Sequence, residues 1–400
     1  MLRCHRTALS LKMPTAYGHW PGFHIKMIYE AVSNETGRKK SDADAVVQGG
    51  LMKQIVNINQ QLIMPEEQTW FGNCHSSTIV KVGKNEYLSA YMAGECEGKP
   101  DMAIWISRCV DGIWLQPEKI MGVYRFPHWN PVLYFDGTTV TLIFKVGPSV
   151  PLWYSMISES KDLGKTWSVP REAVPGDYQP RITSRNKIIR GSNGYLYGPC
   201  SIETEKYWDS YIDISKDNGR TWSKHAIPFN HDLRQEDKNG GSWNGLAQGA
   251  LWENDLSTVL KWDGIIQPTI WESSAGMFHA LLRSTRGHIY RTDSTDYGDT
   301  WCEAYPTDIP NNNSGIDIAK MDDGTLVLAY NPVSGNWSAR SPISLSISED
   351  NGNTFSKPVH LETRDGEFSY PAILADGSHV YMTYTYKRKS IVFCTFDIIE

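Results

Sequence analysis

Short apolar, β-favouring runs recur along this chain, and each is followed by a polar turn. Met102–Ile106, Ser210–Ile214, Gly287–Arg291 and Pro342–Ile347 are rich in Ile, Tyr and Trp and read as strands. The turns that follow are copies of one another. Ser215 to Trp222 reads Ser-Lys-Asp-Asn-Gly-Arg-Thr-Trp, and Ser160 to Trp167 reads Ser-Lys-Asp-Leu-Gly-Lys-Thr-Trp. Ser294 to Trp301 and Ser348 to Phe355 keep the same Ser, Asp, Gly, Thr and aromatic positions, and Ser107 to Trp114 is a worn copy. Successive copies start 53, 55, 79 and 54 residues apart, which is the mark of a repeat array.

Each copy is a hairpin turn. The Asp side chain accepts bonds from backbone N–H groups of its own turn. The Gly takes the positive φ at the reversal, and the Thr and the aromatic start the outgoing strand. Ser-x-Asp-x-Gly-x-Thr-Trp/Phe resembles the Asp-box (BNR) repeat of the sialidase superfamily over about residues 70 to 400. That resemblance implies an all-β fold, a six-bladed β-propeller with Asp-box hairpins between the outer strands of each blade, on the side away from the active site. Blades are expected at about 70–120, 121–172, 173–228, 262–310, 311–360 and 361–400.

Gln54 to Met64 is strand-like, and the last strand, Ile391 to Ile399, would be an open edge. The N-terminal strand is therefore expected to complete the last blade. Residues 1–50 carry no clear period and read as a partly disordered tail, ahead of one propeller domain over 51–400. The long interval holds an insertion loop at 229–261, rich in Asn, Gly and Asp.

The 400-residue chain is 21% charged and 12% aromatic, an ordinary globular composition, and a repeat near 54 residues makes one propeller of about six units. A formal charge of −6 without a long basic run argues against a nucleic-acid partner. Seven scattered cysteines lack metal-site spacing, so no metal or organic cofactor is expected. No run reaches the ~18 apolar residues of a membrane span, and Met1 to His24 has no continuous apolar core, so a cytoplasmic location is expected.

The inner strand of a propeller blade starts at the end of the barrel that carries the site. Here those starts are polar: Asn73-Cys-His-Ser-Ser, Arg125-Phe-Pro-His-Trp-Asn, Gln179-Pro-Arg, Gln267-Pro-Thr, Asn313-Ser-Gly and Glu367-Phe-Ser-Tyr-Pro. Together they read as a ring of groups around a ligand cleft, with Arg125, His128, Arg181 and Gln267 among the substrate contacts.

The resemblance implies an arginine cluster for a substrate carboxylate, with Arg283 and Arg340 at the family's second and third positions. It implies a nucleophilic tyrosine at Tyr370, with Glu367 or Glu203 as its base and Asp101 as the acid. The family's first arginine lies in an Arg-Ile-Pro motif on the first inner strand. This chain has Cys74-His75-Ser76-Ser77 there, and a look-alike, Tyr124-Arg125-Phe126-Pro127, one blade later.

Three readings of function follow. The first is an exo-acting, sialidase-like enzyme that cleaves a glycan at a terminal acidic sugar. The second is a rhamnosyl-glucuronate lyase or rhamnosidase-like enzyme, centred on His75 as acid or base with Tyr370 or His128 protonating the leaving oxygen. The third is a propeller that binds carbohydrate without catalysis.

Overall fold

The computed structural model describes residues 53–122, 125–233 and 261–400. The expected tail at 1–50 and most of the expected insertion at 229–261 lie outside the described residues. Among the described residues the strands form six antiparallel groups in chain order. They span 73–121, 128–172, 189–226, 263–310 and 317–362. The sixth comprises Phe368–Asp376, His379–Tyr386 and Ser390–Ile399, and Gln54–Leu62 completes it by pairing antiparallel with the last strand. The third and fourth groups also share a short parallel bridge, Tyr207–Trp208 against Asp263–Gly264.

Burial explains why the strands read as apolar runs rather than as a strict alternation. Each sheet packs a neighbour on both faces, so inner strands such as Asp263–Ser274 are buried along most of their length. The outermost strands, Arg171–Glu172 and Ser223–Ala226 among them, are mostly exposed. Among the described residues, apolar clusters fill the interfaces between consecutive groups. Leu88, Met92, Trp129 and Phe144 join the first group to the second, and Ile143, Ile157, Ile182 and Leu196 join the second to the third. The ring closes where Tyr87 and Tyr91 of the first group meet Ile391 and Phe393 of the sixth. The result is a β-propeller.

The repeated turns sit between the third and fourth strands of their groups and share one hydrogen-bond pattern. In each of the four full copies the Asp carboxylate accepts from the Thr backbone N–H at 2.9 Å and from the Thr hydroxyl at 2.6 Å. The Thr221 hydroxyl is the main reason that the Asp217 carboxyl falls to about 2. The worn copy reduces to a two-residue turn, Asp111-Gly112, with positive φ at both positions.

The middle of the ring is occupied by the segment 183–188. Asn186 donates to the carbonyls of Gln267 and Pro268, each at 2.9 Å. Arg185 donates to the Ile316 carbonyl at 3.0 Å and to that of Pro371. Lys187 pairs with Asp317 at 2.8 Å and bonds the Ile318 carbonyl at 2.5 Å. One short stretch thus ties the third group to the inner strands of the fourth, fifth and sixth.

Gly198 lets that stretch seat, because a Cβ there would stand 1.8 Å from the Ile182 carbonyl oxygen. Gly198→Ala is expected to destabilise the fold by ~3 kcal/mol through overpacking, read as a lower urea midpoint.

Candidate active site

Six residues, one at each inner-strand start, take left-handed backbone angles: Ser76, Asn130, Ile182, Gln267, Asn313 and Tyr370, with φ from 40° to 69°. Four of these lie at register shifts, between His75/Thr78, Trp129/Val132, Ile266/Thr269 and Ser369/Ala372. A bulge re-aims one side chain out of the alternation of its strand. Asn130, Gln267 and Tyr370 are among the residues that line a cleft. Such φ values are strained for non-glycine residues, and for β-branched Ile182 above all. Asp213 holds Ile182 in place by accepting its N–H at 2.6 Å.

Three arginines line the cleft: Arg283, Arg340 and Arg388. Glu367 stands behind two of them. Arg340 donates to one of its carboxylate oxygens at 2.6 Å and Arg388 to the other at 2.8 Å. Arg388 also pairs with Glu97. Although burial opposes its charge, these two guanidiniums hold the Glu367 carboxyl down at about 2.

Arg283 is different, because its hydrogen-bond partners are all neutral. It donates to Asn313 at 2.7 Å, to Gln267 at 3.2 Å and to the Tyr370 phenol oxygen at 2.5 Å. Its positive charge is therefore available to an anion in the cleft.

Tyr370 is the centre of the arrangement. The Arg340 guanidinium lies 5.2 Å from its ring centroid, that of Arg185 lies 4.9 Å away, and the His75 ring lies at 4.1 Å. Glu203, at the end of Leu196–Glu203, also lines the cleft, and its Oε1 is buried and bonds no group among the described residues. Burial raises the Glu203 carboxyl to about 7, with Arg283 opposing the rise. A carboxyl at that value exchanges protons readily near neutral pH. Five tryptophans, Trp129, Trp153, Trp208, Trp262 and Trp337, make up much of the remaining wall. Among the described residues no group of three or more His, Cys, Asp or Glu is placed to hold a metal ion.

The expected residues divide cleanly. Arg283, Arg340, Tyr370 and Gln267 line the cleft, and Glu367 lies just behind it. His75 is buried behind the Tyr370 ring and bonds Thr385 at 2.9 Å through Nδ1; burial, followed by the surrounding arginines, pushes it well below the usual histidine range. It is not on the cleft wall.

Four other expectations are corrected. Asp101 is exposed and caps its own loop by accepting the Glu95 N–H at 2.7 Å, while Glu97 of the same loop faces the cleft. Arg125 is exposed and off the wall. His128 stacks on Phe144 at 5.5 Å and bonds the Phe126 carbonyl through Nδ1. Arg181 is consumed by ion pairs with Asp213 and Asp177 at 2.9 and 2.7 Å, fastening the third group.

Arg388, Glu97 and Arg185 were not foreseen. Arg388 sits in a Lys-Arg-Lys turn between the last two strands, which reads as a solvated hairpin tip. Glu97 lies in an acidic loop beside the Asp101 that was expected instead. For Arg185 the signal was the polar run Ser184 to Lys187, placed where an inner strand should be apolar.

A family model described as a BNR repeat-like domain matches residues 85–382. No curated protein matches the chain. Among solved structures it is similar to a protein of unknown function from Dyadobacter fermentans, at 16% identity and a TM-score of 0.64, covering 87% of this chain and 99% of that one. It is also similar to a Hadza microbial sialidase, at 16% identity and a TM-score of 0.63, covering 84% and 68%. The NanB sialidase from Streptococcus pneumoniae follows at 13% identity and a TM-score of 0.58, covering 85% and 70%. At such identities these likenesses show the fold.

The buried Arg340–Glu367–Arg388 chain gives a direct stability test. Glu367→Gln leaves two guanidiniums short of their counter-charge and is expected to cost roughly 3–5 kcal/mol. Because the folded carboxyl lies near 2, below its ordinary 4.5, the wild type holds this stabilisation above pH 4.5 and loses it as pH falls toward 2. Urea unfolding at pH 7 and pH 3 should show a smaller gap between wild type and variant at the lower pH.

Proposed function

The chain belongs to the BNR repeat-like family, and from that premise we propose that it is an exo-acting enzyme that cleaves a glycan at a terminal acidic sugar. One observation carries this reading: the cleft combines an arginine bonded only to neutral groups, Arg283, with a tyrosine whose oxygen that same arginine contacts at 2.5 Å. A carboxylate on the sugar supplies the missing counter-charge, and the planar guanidinium forks of Arg283, Arg340 and Arg388 suit it.

The chemistry balances with groups of this chain alone. Tyr370 bonds the anomeric carbon as the glycosidic C–O bond breaks, and its phenol proton passes through Glu203 to the leaving oxygen. Water then attacks the anomeric carbon, and one of its protons returns through Glu203 to Tyr370. Tyrosine nucleophiles of this kind are a known departure from the paired-carboxylate glycosidase scheme. The position of Asp101 outside the cleft leaves Glu203 as the cleft carboxyl without an ion-pair partner.

Product analysis on an α-linked sialoside and a rhamnosyl-glucuronate glycan tests the reading. Free sugar acid is expected from the first, and Tyr370→Phe should lower kcat at least ~10³-fold. An unsaturated uronate from the second would overturn hydrolysis in favour of a lyase. Binding without product from either would leave a carbohydrate-binding propeller.

The pH profile tests Glu203. It must begin ionised to take the phenol proton, so kcat/KM is expected to rise as pH increases through about 7. Glu203→Gln should lower the rate and abolish that limb.

A further inference from the structure

Arg185 is the guanidinium near the site that does not reach the cleft. It is 3% exposed and has no carboxylate bonded to it. Its acceptors are the Asn186 amide oxygen at 2.5 Å, the Ile316 carbonyl at 3.0 Å and the Pro371 carbonyl. Its Nε bonds nothing among the described residues. Burying a charge without a counter-ion is costly, and folds normally pair such a group. Burial lowers Arg185 to about 10, with the nearby Asp317 carboxylate and Tyr370 opposing the fall, so it remains charged at neutral pH.

What that charge faces is the Tyr370 ring, 4.9 Å from the guanidinium carbon, with the His75 ring also packed against Tyr370 at 4.1 Å. Gly315 keeps the contact open. A methyl there would meet Arg185 Nε at 3.1 Å, its Cζ at 3.2 Å and Tyr370 Cδ2 at 3.3 Å.

We propose that Arg185 is a positioning residue for Tyr370: it fixes the plane of the ring from behind and supplies a fixed positive charge as negative charge passes through the phenol oxygen. The proposal rests on the reading of Tyr370 as nucleophile. The guanidinium is anchored to backbone of the fifth and sixth groups, so it is already in place before substrate arrives, which is the condition under which a fixed charge favours a transition state. A cation over an aromatic face is also directly attractive. Because Arg185 does not touch the cleft, its removal acts on kcat and leaves substrate binding nearly intact.

The experiment compares kcat, KM and melting temperature for wild type, Arg185→Met, Arg185→Lys, Gly315→Ala and Lys187→Met on a 4-nitrophenyl α-sialoside. Lys187→Met is the control for a loosened centre, since Lys187 belongs to the same segment and bonds Asp317 and the Ile318 carbonyl, not Tyr370. Arg185→Met is expected to lower kcat roughly 100-fold with KM changed by less than about threefold. Arg185→Lys should recover about tenfold of that loss, because it keeps the charge without the planar fork. Gly315→Ala, which forces the two groups apart, should lower kcat roughly tenfold. Should Arg185→Met not fold, the Lys and Gly315 variants carry the same comparison.

Wild type without activity would remove the Tyr370 reading and this proposal together. An active wild type with kcat kept in the Arg185 variants would overturn the proposal alone. So would a loss in Lys187→Met equal to that in Arg185→Met, or a loss that appears in KM rather than in kcat.

Discussion

A ring of strands has a hole at its centre, and every polar backbone group facing that hole needs a partner. Here the segment 183–188 answers the requirement. Asn186 takes two carbonyls of the fourth group, Arg185 takes carbonyls at Ile316 and Pro371, and Lys187 pairs with Asp317. The inner strands are thereby held to one another through a common middle as well as through the apolar clusters between sheets. The arrangement uses charged side chains where an apolar filler would leave carbonyls unsatisfied.

The same centre positions the chemistry. A left-handed residue stands near the start of each inner strand, and the bulges at Asn130, Gln267 and Tyr370 turn those side chains out of the sheet alternation into the cleft wall. Charge is distributed unequally behind those side chains. Arg340 and Arg388 are balanced by Glu367 and Glu97, which fixes their geometry at little cost in net charge. Arg283 is held by neutral Asn313 and Gln267 and keeps its charge for a ligand. Two arginines that are structurally secured and a third left unneutralised are well suited to recognise a single carboxylate.

Much of this was legible along the chain. The turn copies at Ser160, Ser215, Ser294 and Ser348 announced a propeller, because a local turn is specified by its own Asp, Gly and Thr. The strand character of Gln54 to Met64 and the need to cover the last strand led to their pairing. Position relative to the turns brought Arg283, Arg340 and Tyr370 into view, and all three line the cleft. Where a residue's role depended on which loop folds inward, the reading along the chain missed. Asp101 and Glu97 share one acidic loop, and nothing local says which carboxylate turns toward Arg388. Arg181 looked like part of the polar ring until Asp213, far along the chain, proved to be its partner.

The amino-acid sequence by itself determined the repeat, the β class and the set of polar strand starts, since these follow from neighbouring residues and from spacing. Only the tertiary structure decided which charges are neutralised and which remain available. Arg388 lies on a hairpin between the last two strands, and Arg185 in a segment that threads the centre. Both meet the site through contacts with residues more than a hundred positions away, and an electrostatic balance between such groups exists only once closure of the ring has brought them within hydrogen-bond distance.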